Sequence, residues 1–175
     1  MLKGERIYLR PIETKDATKV VVWENDVNNW RVTGTEAPYS LHTILAYIDN
    51  IQNFRQSGEL RLMICLNETD EAIGTLDLYD ANFRHERATI GILIGEYSER
   101  KKGYAAEALE LLKEYAVQIL AFHNLSASIL EDNEESIRLF EKAGFQLTGS
   151  RKEWFKDKNK WVDERIYQLC LKKES

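Results

Sequence analysis

The sequence predicts a mixed α/β protein of the α+β kind, built on one mostly antiparallel sheet with helices on both faces. Three observations carry that prediction. Apolar runs at 60–66 and 72–79 flank the polar turn Asn67-Glu68-Thr69-Asp70-Glu71, the pattern of a hairpin. The apolar run Thr89-Ile90-Gly91-Ile92-Leu93-Ile94, an amphipathic stretch from Ala105 and the run 125–130 form a strand–helix–strand crossover. Two strand-like segments, 145–154 and 162–171, close the chain through the polar Lys156-Asp157-Lys158-Asn159-Lys160.

Taken in order, residues 6–10 alternate polar and apolar and read as a first strand that Pro11 ends. Thr14 is placed to cap a helix over 16–24, and Asn25-Asp26 and Asn28-Asn29 punctuate the chain after it. Ser40 caps a second helix, in which Ile44, Leu45, Ile48, Ile51 and Phe54 recur at helical spacing until Gly58. After the hairpin, residues 81–86 are a polar connection into a strand over 87–94. Gly91 and Gly95 there predict a bulge or a close backbone contact. The helix from Ala105 carries an apolar stripe of Ala108, Leu109, Leu112, Tyr115, Ala116 and Ile119. Glu107, Glu110, Lys113, Glu114 and Gln118 form its polar face. Asn133 caps a short helix over 134–143, with Gly144 at its C′ position.

A chain of 175 residues with 43% apolar and 30% charged side chains is expected to form one domain, 1–175, with a full core. Its 24 Lys and Arg against 29 Asp and Glu leave a formal charge of −5. That speaks against broad nucleic-acid binding, which needs a basic footprint, and suits a cationic substrate. Cys65 and Cys170 lie in apolar strand-like runs without partners at metal-ligand spacing, so both are expected as buried thiols and no metal is expected. No apolar stretch approaches membrane-spanning length and the start, Met1-Leu2-Lys3-Gly4-Glu5-Arg6, has no apolar signal region, which predicts a cytoplasmic protein without a membrane partner.

The chemistry points to Arg100-Lys101-Lys102-Gly103-Tyr104-Ala105, between the apolar strand and the long helix. A helix start leaves its first N–H groups unpaired and carries partial positive charge, and phosphate is its usual guest. Gly103 has no Cβ, so an anion can approach the backbone, and it can adopt positive φ. The stretch reads either as a diphosphate cradle or as an ordinary basic turn.

The hexapeptide resembles the Arg/Gln-x-x-Gly-x-Gly/Ala element of the GCN5-related N-acetyltransferases. The block from Asn133 to Phe145, Asn-Glu-Glu-Ser-Ile-Arg-Leu-Phe-Glu-Lys-Ala-Gly-Phe, is similar to the Asn-x-x-Ser … Glu-Lys-x-Gly-Phe signature of one branch. That branch includes ribosomal-protein alanine acetyltransferases and spermidine acetyltransferases. The resemblance implies acetyl-CoA as co-substrate and a primary amine as acceptor, on a protein N-terminus, a polyamine or another small amine. It implies that Arg100, Lys101, Lys102, Gly103, Tyr104 and Ala105 hold the CoA diphosphate and that the edge at Ile92, Leu93 and Ile94 pairs with pantetheine. Asn133 matches a pantetheine contact and is equally a helix cap. A homodimer is the family's habit.

Two positions depart from the family pattern. Phe140 stands, beside the coenzyme site, where many relatives carry a proton-donating tyrosine, and Thr89 stands where spermidine-type relatives carry glutamate. Ser136 matches a serine of ribosomal-protein-modifying relatives and reads either as the acid or as a local cap. Glu86, before the strand, and Asp77, on its neighbour, are the candidate bases. Trp23, Glu24, Asp26, Trp30, Glu36 and Tyr39 read either as an ammonium-binding cluster or as core and helix ends. These departures leave a second reading, a non-catalytic acyl-CoA-binding module.

Overall fold

The computed structural model describes residues 2–171. In chain order the elements are β1 (Leu2–Lys3), β2 (Ile7–Pro11), α1 (Ala17–Asn25), α2 (Val27–Thr33), α3 (Leu41–Asn50), α4 (Phe54–Ser57), β3 (Leu60–Leu66), β4 (Ala72–Asn82), β5 (Arg87–Ile94), α5 (Tyr104–Gln118), β6 (Asn124–Leu130), α6 (Glu134–Lys142), β7 (Gln146–Asp157) and β8 (Lys160–Cys170). The eight strands form one sheet in the order β1-β2-β3-β4-β5-β6-β8-β7. Neighbours run antiparallel except β5 and β6, the parallel pair that the α5 crossover joins.

Period-two alternation splits the apolar residues between two cores. On β3, Leu62 and Ile64 face the core under α5 and α6, whereas Met63 and Cys65 face the core under α1 and α3. Ala108, Leu109, Leu112 and Ala116 of α5 are fully buried in the first; Val20, Trp23, Ile44 and Ile48 fill the second. Helices therefore cover both faces, as the pattern predicts.

Several local expectations are corrected. Thr14 does not cap α1; Glu13 and Asp16 form a capping box around a 3-10 turn, and the helix starts at Ala17. The asparagine-rich stretch after it is helix α2. Asp26 accepts from the Asn28 N–H at its start and Gly34 ends it at φ +71°. The helix capped by Ser40 stops at Asn50, and Phe54 opens a separate one-turn helix that Gly58 ends. Ile119 falls beyond α5 and is exposed, and Cys170 is exposed while Cys65 is buried. The strands β4, β7 and β8 run longer than the polar residues at their ends suggested. The α6 prediction stands, with Ala143 as its cap residue. Gly144 at φ +94° and the bonds Gly144 N–H to Glu141 and Phe145 N–H to Phe140 complete a Schellman end.

β5 itself carries no bulge. The register shifts lie in β4, at Ile73 and near Asp80. The expected close contact is at Gly95, where a Cβ would sit 2.2 Å from the Trp23 indole.

The feature that positions the site is a fork. β5 and β6 pair only from Arg87–Asn124 to Thr89–Ser126. Beyond that, β5 stays with β4 as far as Ile94, and β6 stays with β8 as far as Leu130, so each follows its own half of the twisted sheet. At the crotch the hydroxyls of Thr89 and Ser126 share a 3.1 Å hydrogen bond. Thr89, where a carboxylate was the family alternative, thus ties the two halves together.

Candidate active site

The fork leaves one edge of β5 without a strand partner from Ile90 onward. Two adjoining cavities fill the opening. The smaller, about 290 Å³, runs from Arg100, Lys101, Gly103, Tyr104 and Ala105 along Ile92, Leu93 and Ile94 to Asn133, Ser136 and Leu139. The larger, about 730 Å³, continues past Ser136 and Phe140 into a chamber with Glu24, Tyr39, Tyr47, Arg61, Asp77, Tyr79 and Glu164 on its walls. One groove therefore joins the two ends that the sequence marked separately.

At the first end the backbone does the shaping. Lys101 sits at φ +61° and Gly103 at φ +87°, so the loop turns sharply into α5. Gly103 is the N-cap residue and contributes no side-chain cap, which leaves the opening amides of a fifteen-residue helix directed out of its end. The Arg100 side chain turns inward instead. It donates to the Ile94 carbonyl at 2.8 Å and to Asn29 Oδ1 at 2.9 Å, and lies over the Tyr97 ring. Lys102 Nζ is paired with Glu99. The exposed Lys101 is the basic side chain of the motif with no such tie among the described residues.

Asn133 and Ser136 meet at the start of α6, where the Asn133 side chain accepts from the Ser136 N–H at 3.2 Å. Both roles weighed for Asn133 are geometrically open, because it caps the helix and lines both cavities. Phe140 is 3% exposed and packs edge-to-face on Phe145 at 5.0 Å.

At the second end, side chains do the shaping. Arg61 of β3 forks onto Asp77 of β4, with Nε–Oδ1 at 2.9 Å and Nη2–Oδ2 at 2.8 Å, and its Nη1 reaches Glu24 of α1 at 2.9 Å. The guanidinium lies over the Tyr47 ring. Burial works against its charge, but Asp77, Tyr47 and Glu24 outweigh that and hold its pKa above the ordinary value. Burial pushes the Tyr47 hydroxyl well up, with Arg61 opposing. Tyr79, whose ring lies over Gly91, is also pushed up, first by burial and then by Asp80 and Glu164. Arg31 of α2 closes one side of the chamber by forking onto Asp132 at 2.9 and 2.7 Å.

Of the candidate bases, Asp77 lies in the chamber and Glu86 does not line either cavity. Glu86 precedes β5, and seven residues of extended chain, roughly 23 Å, separate it from Leu93. Its carbonyl is used at the paired side of the fork, accepting from the His123 and Asn124 amides. Of the aromatic–acidic cluster, Glu24 and Tyr39 reach the chamber. Trp23 and Trp30 are structural, donating to Glu96 Oε1 and to the Glu24 carbonyl, Asp26 caps α2, and Glu36 is exposed outside it. Arg61 was missed. Its signal was only an arginine inside an apolar run, directly opposite Asp77 in the hairpin register. Among the described residues no cluster of His, Cys, Asp and Glu has metal-binding geometry, and no helix is long and apolar enough to cross a membrane.

Comparison with known proteins bears on this geometry. The family model for the acetyltransferase (GNAT) domain matches residues 6–146. The uncharacterized N-acetyltransferase YoaA of Bacillus subtilis is 26% identical over 176 aligned residues, covering 99% of this chain and 98% of that protein. The spermidine N(1)-acetyltransferase of Escherichia coli K12 is 28% identical over 151 residues, covering 85% of this chain and 77% of that protein. Among solved structures, the Vibrio cholerae spermidine N-acetyltransferase in complex with CoA and spermine superposes with a TM-score of 0.89. It covers 97% of this chain and 98% of that one at 20% identity, a likeness of fold. The matched domain spans the fork, the glycine turn into α5 and the Asn133 helix alike, and the chain belongs to the GNAT family of N-acetyltransferases.

Proposed function

We propose that the protein transfers acetyl from acetyl-CoA to a primary amine by direct attack in a ternary complex. The observation that carries this reading is the unpaired β5 edge leading from the Gly103 turn straight into an acidic chamber. The fit can be judged from the chain alone. The positive-φ turn and the uncapped α5 amides suit a diphosphate, and the free strand edge offers alternating N–H and C=O groups to the amides of an extended pantetheine arm. Arg100 to Ala105, with Ala106 following, would hold the diphosphate through backbone N–H groups. Ile92, Leu93, Ile94 and Asn133 would hold the arm. When bound, acetyl-CoA supplies an activated acyl carbon and a thiolate leaving group.

The chain's own residues then have three tasks. A β5 N–H polarises the thioester carbonyl as negative charge develops on oxygen. Asp77, directly or through a water, takes a proton from an amine that arrives largely as ammonium at neutral pH. Ser136, which lines both cavities, returns a proton to sulfur where Phe140 has none to give. One N–C bond forms and one C–S bond breaks; of the two protons the ammonium gives up, one leaves through Asp77 to solvent and the other is matched by the one the thiolate gains. Holding amine and thioester together contributes in its own right.

Glu24, Glu59, Asp77 and Glu164 give the acceptor chamber a surplus of carboxylates over Arg31 and Arg61, which favours a cationic acceptor. The names of the spermidine-acetylating relatives make a polyamine the first amine to test, before peptide N-termini and other small amines. The test is a panel of such amines with acetyl-CoA, read by product mass and free thiol. Asp77→Asn is expected to lower kcat by about 100-fold while leaving CoA affinity within twofold. Thiol release no higher than background with every amine, despite CoA binding, would leave the non-catalytic acyl-CoA-binding module in its place.

A further inference from the structure

Arg6 lies outside every motif of this chain, yet it reaches the glycine turn from the start of β2. Its Nη1 donates to the Lys102 carbonyl at 2.8 Å and its Nε to Glu107 Oε2 at 3.0 Å. The guanidinium stacks over the Tyr104 ring at 4.9 Å, and Nη2 lies 3.2 Å from where a Cβ on Gly103 would stand. Glu107 completes the brace, with Oε1 accepting from the Arg6 and Ile7 amides at 2.8 and 3.3 Å. Burial would raise the Glu107 pKa, but those amides and the guanidinium outweigh it and hold the carboxyl below its ordinary value.

We infer that Arg6 is a positioning residue for the coenzyme loop, acting through Lys102 and Glu107. Two physical needs converge on it. A loop that presents N–H groups to a diphosphate must keep its carbonyls turned away, and Arg6 binds the Lys102 carbonyl just before the Gly103 turn. A carboxylate in the first turn of α5 stabilises the helix but repels a phosphate at the same end, and Arg6 neutralises it. The side chain is half exposed, so the effect is one of local charge and loop geometry rather than of core stability.

This inference rests on the diphosphate reading of the loop, and the experiment separates the two. Affinities for CoA and for S-acetyl-pantetheine, which lacks the diphosphate, are measured by titration calorimetry. Arg6→Ala is expected to weaken CoA about tenfold and S-acetyl-pantetheine less than twofold. Arg6→Ala combined with Glu107→Gln, which keeps the Oε1 acceptor and removes the charge, is expected to recover about threefold of that loss. Arg6→Lys, which keeps a cation without the fork, is expected to fall between, and serves in place of Arg6→Ala should that variant not fold. Equal weakening of both ligands, or unchanged CoA affinity, would overturn the role of Arg6. Unchanged CoA affinity in folded Gly103→Val would instead overturn the loop reading itself.

Discussion

The two ends of the groove are built on opposite plans. At the proposed coenzyme end the cavity is lined by two short stretches, 92–106 and 133–139, the first offering main-chain groups, and the side chains of the turn mostly brace it. At the proposed acceptor end the shaping groups are side chains: Glu24 of α1, Tyr47 of α3 and Asp77 of β4 gather around the buried guanidinium of Arg61 on β3, and Glu164 of β8 stands on the same wall. A backbone cradle is written by neighbours in the chain: a glycine at φ +87°, the helix after it and the strand before it. A side-chain chamber is written by sheet register, which aligns Arg61 with Asp77 across sixteen residues and brings Glu24 from another thirty-seven away. On the proposed reading, the first plan would hold the donor arm whatever the acceptor, and the second could be altered one residue at a time without touching the first.

That contrast is broken most forcefully at Arg61. Its side chain is 13% exposed and is shared by two carboxylates. Arg61→Ala leaves both without a partner in a poorly solvated place, so the expected loss is about 3–5 kcal/mol of stability, read as a fall in the urea midpoint. If the ends are independent, the fraction that remains folded binds CoA with unchanged affinity. A parallel collapse of CoA affinity in that folded fraction would show that the chamber also shapes the cradle.

The reverse experiment is Gly103→Val. A branched residue at positive φ costs about 1–2 kcal/mol in backbone strain. Its side chain would also stand in the approach to the α5 amides and crowd Arg6 Nη2. CoA affinity is expected to fall about 100-fold, because charge-assisted bonds to the amides are worth about 1.5–3 kcal/mol each. The Arg61–Asp77–Glu24 cluster should be untouched, so amine affinity measured with a short acetyl thioester stays within twofold. Amine affinity falling along with CoA would refute the independence of the ends.

The same division explains what the sequence reveals. β5, α5, α6 and the basic turn are legible because each rests on a local signal: an apolar run, a 3.6-residue stripe, an Asn cap, a glycine at the right offset. α2 escapes because Asn28 and Asn29 look like loop. In fact Asn29 is buried, with its amide bonded to the Trp23 carbonyl and its oxygen to Arg100. Tertiary contacts there override a weak propensity. Glu86 looks suitable by proximity in the chain, but strand direction carries it to the paired side of the fork. Asp77 gains its position from cross-strand pairing with Arg61, which no local pattern displays.

Each half also has a braced carboxylate, and acid tests them separately. Asp16 accepts two bonds from Arg10 at 2.7 Å beside α1, and Glu107, in the first turn of α5, accepts from the Arg6 and Ile7 amides. Burial alone would raise both pKa values, yet their partners outweigh it and both lie below the ordinary carboxylate range. A depressed folded-state pKa means stability present above the unfolded value and lost as pH falls through the folded one. Below about pH 4 the protein should therefore lose stability. Asp16→Asn and Glu107→Gln should each narrow the gap between neutral and acid urea midpoints. Asp16→Asn should do so more, because its pair is the more buried. An unchanged gap in both variants would mean that other carboxylates set the acid limit.

The smallest expected effect lies where the two ends meet. Phe140 is buried against Phe145 but also forms part of the chamber wall, so its ring has a packed side and a cleft side. Phe140→Tyr adds one oxygen. A hydroxyl directed to the cleft is solvated and costs less than about 1 kcal/mol, whereas one directed into the Phe145 side is buried without a partner and costs about 1–3 kcal/mol. The cleft-facing outcome is expected: a melting midpoint within a few degrees of wild type and a rate a few-fold higher, because the thiolate gains a second proton source beside Ser136. A preserved midpoint with no change in rate would assign proton return to Ser136 or to solvent. A large fall in the midpoint would make Phe140 core rather than wall, and the boundary between the two ends would then lie at Ser136.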